Sequence, residues 1–203
     1  AAVIVAGLAT ASYRMVGPLY GAEVGLTPGQ IGLFLACFVA GGAVAQYPAG
    51  WLADRYDRRY VLIFFSAISL LACGFSANVS GVHMVLVASA LFGFVTFPIF
   101  SIASAHAHDF AKDDERVELS AALIFYYAVG AIAAPVLVSR LIDVAGPNAF
   151  FAFIAMGHAV LAIYGLWRMR RGSIVTDKTA YVYAPRTSFT IGRLMKRLRK
   201  PME

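Results

Sequence analysis

"GWLADRYDRRYVL", residues 50–62, sets five charged side chains, Asp54, Arg55, Asp57, Arg58 and Arg59, between apolar flanks. The surroundings decide what this run can be. The 203-residue chain is 60% hydrophobic and 14% charged, with a mean hydropathy of +0.73. Soluble domains run at roughly 45–50% apolar and about 25% charged. A water-soluble fold of this size lacks the interior to hide so much apolar surface. Lipid is the solvent for most of the chain, and the charged run must lie where the chain leaves it.

A helix needs about 20 mainly apolar residues to cross lipid. Six such stretches occur, at 1–19, 31–51, 60–77, 82–105, 119–145 and 149–167. Inside lipid every backbone polar group must be satisfied within the protein, which makes helices the default. The period-two alternation of a barrel strand is missing. The expected fold class is an all-α membrane protein with six transmembrane helices over 1–167. The breaks carry turn chemistry. In "GLTPGQ" (25–30), Thr27 is placed to cap a helix and Pro28 suits its first turn. "ANVSG" (77–81) and "AGPN" (145–148) read as tight connections. The chain opens on Ala and is apolar from its first residue. A signal peptide is therefore not expected, and the chain reads as a piece of something longer that starts within a helix.

Lys and Arg fall on one side only. Segments 20–30, 78–81 and 146–148 hold none, whereas 52–59 and 106–118 hold Arg55, Arg58, Arg59, Lys112 and Arg116. Arg168, Arg170 and Arg171 follow the last span at once. The positive-inside rule puts loops 52–59 and 106–118 and the C-terminus in the cytoplasm. The opening run is then a cytoplasmic hairpin turn between the second and third spans.

The run has more order than an anchor needs. Gly50-x-x-x-Asp54-Arg55-x-Asp57-Arg58-Arg59 resembles the signature loop of the major facilitator superfamily, which joins the second and third helices of each six-helix half. Five of the six defined positions match; Asp57 stands where the pattern has Gly, and Asp tolerates a left-handed backbone better than most residues. The phrases "GPLY" (17–20), "QYPAGWLADRYDRR" (46–59) and "FPIFSIASAHAHD" (97–109) are similar to the C-terminal half of a bacterial inner-membrane subgroup of mostly unassigned substrate. The resemblance covers positions 1 to about 170. It implies six helices as two inverted three-helix repeats, one half of a twelve-helix fold whose transport path runs between two halves. The sequence echoes the repeats: "GPLY" and "FPIF" in the first and fourth spans, "GGAVAQYP" (41–48) and "VGAIAAP" (129–135) in the second and fifth. Gly and Pro interruptions at matching places point to cavity-facing helices. The resemblance also implies a secondary transporter of a small solute working by alternating access, with protons as the usual coupling ion and an N-terminal half as partner. It implies a gating loop too. Gly50 would let two helices approach closely, Asp54 would face the positive end of a neighbouring helix, and Arg58 and Arg59 would bridge to acids or lipid phosphates.

Charge inside a span is costly and therefore informative. Arg14 lies roughly 9 Å below the outer end of the first span at 1.5 Å per residue. It could hold an anionic substrate group, meet an acid of the missing half, or snorkel to headgroups. Tyr13, Tyr20, Gln46, Tyr126 and Tyr127 are further candidates for the path, with ordinary helix packing the alternative for the tyrosines. Arg140 and Asp143 are spaced to pair on one helix face. His158 reads as a hydrogen-bonded packing residue, and His106 and His108 as part of a solvated loop. Glu118 suits a helix start. Cys37 and Cys73 read as small buried hydrophobes.

Neither a catalytic constellation, a zinc spacing nor a phosphate-binding loop is present in the sequence. No enzyme, cofactor or metal is expected, and the missing nucleotide loop argues against an ATP-driven pump. The net charge of +6 is concentrated in the inner loops and tail, which membrane topology explains without nucleic acid. A transporter-derived sensor that binds a solute without net transport is the alternative reading. In the basic tail, 168–203, Ile191, Leu194, Met195 and Leu198 share a helical face. A basic amphipathic helix over 188–200 would lie on the anionic headgroups of the cytoplasmic leaflet.

Overall fold

Six helices carry residues 1–171, the part of the chain that the computed structural model describes. They are α1 (Ala2–Glu23), α2 (Pro28–Arg55), α3 (Arg58–Asn78), α4 (Val82–His108), α5 (Arg116–Ala145) and α6 (Ala149–Arg171), each long and apolar enough to cross a membrane. The described residues contain no strand. Two boundaries differ from the hydropathy reading. The first helix runs past position 19 to Glu23. The sixth continues to Arg171, so Arg168, Arg170 and Arg171 form its last turn rather than the start of a tail. The amphipathic helix expected at 188–200 lies outside the described residues.

Local chemistry sets the connections. Thr27 closes a capping box on α2: its hydroxyl accepts from the Gln30 N–H at 3.4 Å, and the Gln30 side chain accepts from the Thr27 N–H at 2.9 Å. Two orphan donors are satisfied at once. Asp57 caps α3 by accepting from the Arg59 N–H at 2.9 Å. The three connections read as outward each turn on a glycine with positive φ: Gly25 at 82°, Gly81 at 83° and Gly146 at 81°. A side chain at those φ values is strained, which is why glycine stands there.

The helices pack as two interlocked triplets. α2 lies on α4, α1 on α5, and α3 on α6. In each of the first two pairs a helix of one triplet contacts a helix of the other, and both contacts are made by reciprocal glycines. A Cβ on Gly7 would collide with the backbone of Tyr127, and one on Gly130 with that of Ile4. A Cβ on Gly41 would collide with Ala90, and one on Gly93 with Phe38. Lipid gives helices no hydrophobic reason to associate, so close backbone packing at small residues carries the association. Burial repeats with the same period: 56, 22 and 39% of the apolar windows of α1, α2 and α3 are buried, and again 56, 22 and 39% for α4, α5 and α6. Helices α2 and α5 are thus the pair with the most surface uncovered within this chain. Gly50 is not one of the close-packing glycines: it is exposed, and a Cβ there would meet nothing within 4 Å. The close approach expected at Gly50 occurs instead at Gly7, Gly41, Gly93 and Gly130, where two helices cross inside the bundle.

Helix α1 is not a uniform α-helix. Ser12–Val16 forms a π-helical turn, in which the Gly17 N–H reaches back to the Ser12 carbonyl. Pro18 explains it: without an N–H it cannot bond the carbonyl of Arg14 as an α-helix requires, and its ring crowds that carbonyl. The Ser12 hydroxyl, donating to the Leu8 carbonyl at 2.7 Å, favours a bend at the same place. Proline also interrupts α2 at Pro48, α4 at Pro98 and α5 at Pro135. Helices α3 and α6 have no proline within their bounds.

Candidate functional site

The charged run forms a bracket at one end of the bundle. α2 ends at Arg55, whose guanidinium stacks on the Trp51 ring 4.1 Å from its centroid, a cation–π contact within one helix turn. Asp57 and Arg59 pair at 2.9 Å, and the hydrogen bonds from Arg59 hold the Asp57 carboxyl below its ordinary range. Arg58 reaches to α4: the same nitrogen donates to Asp109 at 2.5 Å and to the Ala105 carbonyl at 2.7 Å. Asp109 was legible only as a loop acid near two histidines; its pairing with Arg58 needed the fold. Asp54 is exposed and has no partner among the described residues. The helix end it was expected to face is not met within this half.

The two histidines beside Asp109 differ. The His106 ring packs edge-on against Phe110, with centroids 5.1 Å apart. His108 lies 3.3 Å from the Ser120 hydroxyl and links the end of α4 to the start of α5. Among the described residues, no group of three or more His, Cys, Asp or Glu side chains is placed to hold a metal.

The path candidates separate into two groups. Tyr13 is wholly buried, its ring stacked on Phe38, Phe34 and Phe92 at 4.2, 4.8 and 5.0 Å. Tyr20 is buried too, stacked on Phe150 at 5.3 Å and edge-on to Phe151 at 5.0 Å. These two tyrosines build the core of the half, each ring pair adding roughly 0.5–1.5 kcal/mol beyond its buried area. Tyr127 is partly buried, edge-on to Phe100 at 5.2 Å. Arg14, Gln46 and Tyr126 instead stand on uncovered surface. Gln46 on α2 accepts a hydrogen bond from Ser101 on α4 at 3.1 Å. Its neighbour Tyr47 is 83% exposed and Tyr126 on α5 is 52% exposed. Ser101 and Tyr47 belong to this surface but carry no sequence signal, since a lone hydroxyl or ring in an apolar span is ordinary.

Other polar residues resolve simply. Arg140 and Asp143 are not within ion-pair distance of each other, so the expected pair on α5 does not form. His158 is buried, and neither ring nitrogen has a partner among the described residues. It packs in the core without the expected hydrogen bond. Cys73 is buried and Cys37 partly so, both unpaired.

Comparison with known proteins gives this arrangement a family. The chain matches the model of the Major Facilitator Superfamily over residues 1–201. It is 31% identical over 170 residues to an uncharacterized MFS-type transporter of Enterobacter sp. (strain 638), covering 83% of this chain and 42% of that protein. It is 29% identical over 168 residues to one from Yersinia pestis (strain Pestoides F), again covering 83% and 42%. With the MFS-type transporter YcaD of Escherichia fergusonii it shares 29% identity over 181 residues, 88% of this chain and 45% of the relative. The chain therefore spans somewhat less than half the length of these relatives. The crystal structure of the POT family transporter PepTSo shares the fold, with a TM-score of 0.62 at 17% identity over 99% of this chain and 42% of that one. The interlocked triplets, the charged bracket after the second helix and the match along nearly the whole chain converge: this six-helix membrane chain belongs to the Major Facilitator Superfamily.

Proposed function

We propose that the protein to which this chain contributes is a secondary active transporter, moving a small solute across the bacterial inner membrane by alternating access. The uncovered surface of α2 and α5 carries the reading. Those two helices are the least buried of their triplets, and polar side chains, Gln46 with its Ser101 partner and Tyr126, interrupt an otherwise apolar surface there. A surface facing only lipid has no use for an amide and phenols; a surface facing a second six-helix half across a water-filled path does. The second half, the solute and a coupling proton are the implied partners, with loops 52–59 and 106–118 on the cytoplasmic side. Among the described residues every Asp and Glu lies at a helix end or in a connection. A proton-carrying acid at mid-depth would accordingly come from the other half.

The gating loop would act through state-dependent contacts. The bracket from Arg58 to Asp109 and Ala105 ties α3 to α4, while Asp54 stays free to meet a helix end of the other half. Such a contact closes one side and must break for the other state. The test is solute flux into proteoliposomes holding the full-length protein, with and without an imposed proton gradient. Gradient-dependent accumulation supports the reading. Saturable binding without flux would replace it with a membrane sensor.

A further inference from the structure

Arg14 lies deeper than hydropathy placed it. Because α1 continues to Glu23, Arg14 is nine residues from that end, roughly 14 Å at 1.5 Å per residue. The hydrocarbon core is about 30 Å thick, so the guanidinium starts near its middle. Snorkelling serves residues near helix ends; it does not serve one at this depth. Arg14 is exposed and has no hydrogen bond, ion pair or ring contact among the described residues. It also sits on the π-helical turn Ser12–Val16, opposite the missing donor of Pro18. Single π turns inside helices are frequent at functional sites. The rest of α1 is mostly buried against α4, α5 and α6, so Arg14 and Met15 open a narrow uncovered strip on a helix otherwise inside the half.

The charge balance of this depth is one-sided. Asp54, Asp57, Asp109, Asp114, Glu115, Glu118 and Asp143 lie in or near connections. The described half therefore offers one fixed positive charge at mid-depth and no negative one. Its polar companions on uncovered surface, Gln46, Ser101 and Tyr126, are neutral.

We infer that Arg14 is the anion-recognition residue of the path, and that the solute carries a carboxylate or phosphate group bound by its guanidinium. This rests on the transporter reading above. The planar guanidinium presents paired N–H donors that fit either oxyanion. Water in the path accounts for an unpaired charge that lipid would penalise by several kcal/mol.

The experiment uses the full-length protein. Arg14→Cys in a background lacking Cys37 and Cys73 is exposed to a small, anionic, membrane-impermeant thiol reagent. Reaction is expected from one or both sides; absence of reaction places the position in lipid or in a closed ion pair and overturns the inference. In parallel, thermal unfolding of the purified protein is followed with lactate, succinate, glucose 6-phosphate and inorganic phosphate. Lactamide, succinamide, glucose and chloride at matched ionic strength are the controls. At least one anion is expected to stabilise where its uncharged counterpart does not, and the carboxylate and phosphate arms separate the two classes. Arg14→Gln should weaken that anion about 10- to 100-fold, the loss of hydrogen bonds to a charged group, and Arg14→Lys should retain part of it. Stabilisation by none of the anions, or one that survives Arg14→Gln, overturns the inference. Flux of a neutral solute that is indifferent to Arg14→Gln would do the same and leave the transporter reading standing. Absence of any flux would remove that reading instead.

Discussion

Arg58, the first residue of α3, and Asp109, just beyond α4, are held together at 2.5 Å although they are 51 positions apart in the chain. The same Arg58 nitrogen bonds the Ala105 carbonyl in the last turns of α4, where a cation also complements the helix dipole. The bracket is half exposed, with side-chain exposures of 24 and 48%. Exposed pairs are worth about 0–1 kcal/mol. Its value lies in the state it selects more than in stability.

Arg58→Gln and Asp109→Asn are each expected to change thermal stability by less than about 1 kcal/mol while lowering flux severalfold. The exchanged pair, Arg58→Asp with Asp109→Arg, should recover part of the flux, since the ion pair returns and the Ala105 contact does not. Transport in proteoliposomes, normalised to protein amount, checks this; wild-type flux in both single variants would remove the bracket from the gate.

Asp54→Asn should leave expression unchanged, because Asp54 has no partner among the described residues. Exposed substitutions of this kind usually stay within about 0.5 kcal/mol. Flux should nevertheless fall, through loss of a carboxylate that meets a helix end in one transport state. A variant that transports at the wild-type rate would show that Asp54 is only a topology anchor.

The reciprocal glycines predict a contrast. Gly7→Ala and Gly130→Ala must push α1 and α5 apart, because the added carbon meets backbone that cannot rotate away. A cost of about 1–3 kcal/mol or more follows from overpacking. Gly50→Ala meets nothing and gains helix propensity of up to about 1 kcal/mol. Unfolding temperatures of the three variants in detergent decide the matter; equal losses at all three positions would contradict the packing.

Asp57 supplies a pH dependence. Its carboxyl is held below the ordinary aspartate value of 3.8 by its hydrogen bonds with Arg59. A folded-state pKa below the unfolded one gives stability that is present above the unfolded value and lost as pH falls through the folded value. Asp57→Ala should cost about 1 kcal/mol near neutrality through loss of the α3 cap. The gap to wild type should narrow only as pH drops below the ordinary aspartate value. A gap that closes between pH 5 and 7 would point to another group.

Single cysteines at Thr27 and Lys112 in a cysteine-free, full-length background should be told apart by an impermeant thiol reagent on intact cells. Position 27 is expected to react and position 112 to stay silent until the membrane is opened. Reaction at 112 alone would invert the topology.

Helix number, the side of each loop and the family loop were determined by the sequence alone. Each depends on residues close together in the chain: transfer of some 20 apolar side chains into lipid, the bias of Lys and Arg between loops, a cap at Thr27. These free energies are local sums and can be read in order. The tertiary structure decided what depends on distant pairs. Tyr13 and Tyr20 looked like path residues until the rings of α2, α4 and α6 closed over them. Gly50 looked like a packing glycine, but which glycines meet a backbone is set by where two helices cross, and only Gly7, Gly41, Gly93 and Gly130 stand at those crossings. The depth of Arg14 turned on where α1 ends, and hydropathy blurs that boundary because Tyr20, Gly21 and Ala22 are neither firmly apolar nor charged. A helix end is fixed by the chain's next contact, here the reach of Leu26 back to Gly21, and contacts of that kind exist only in the folded molecule.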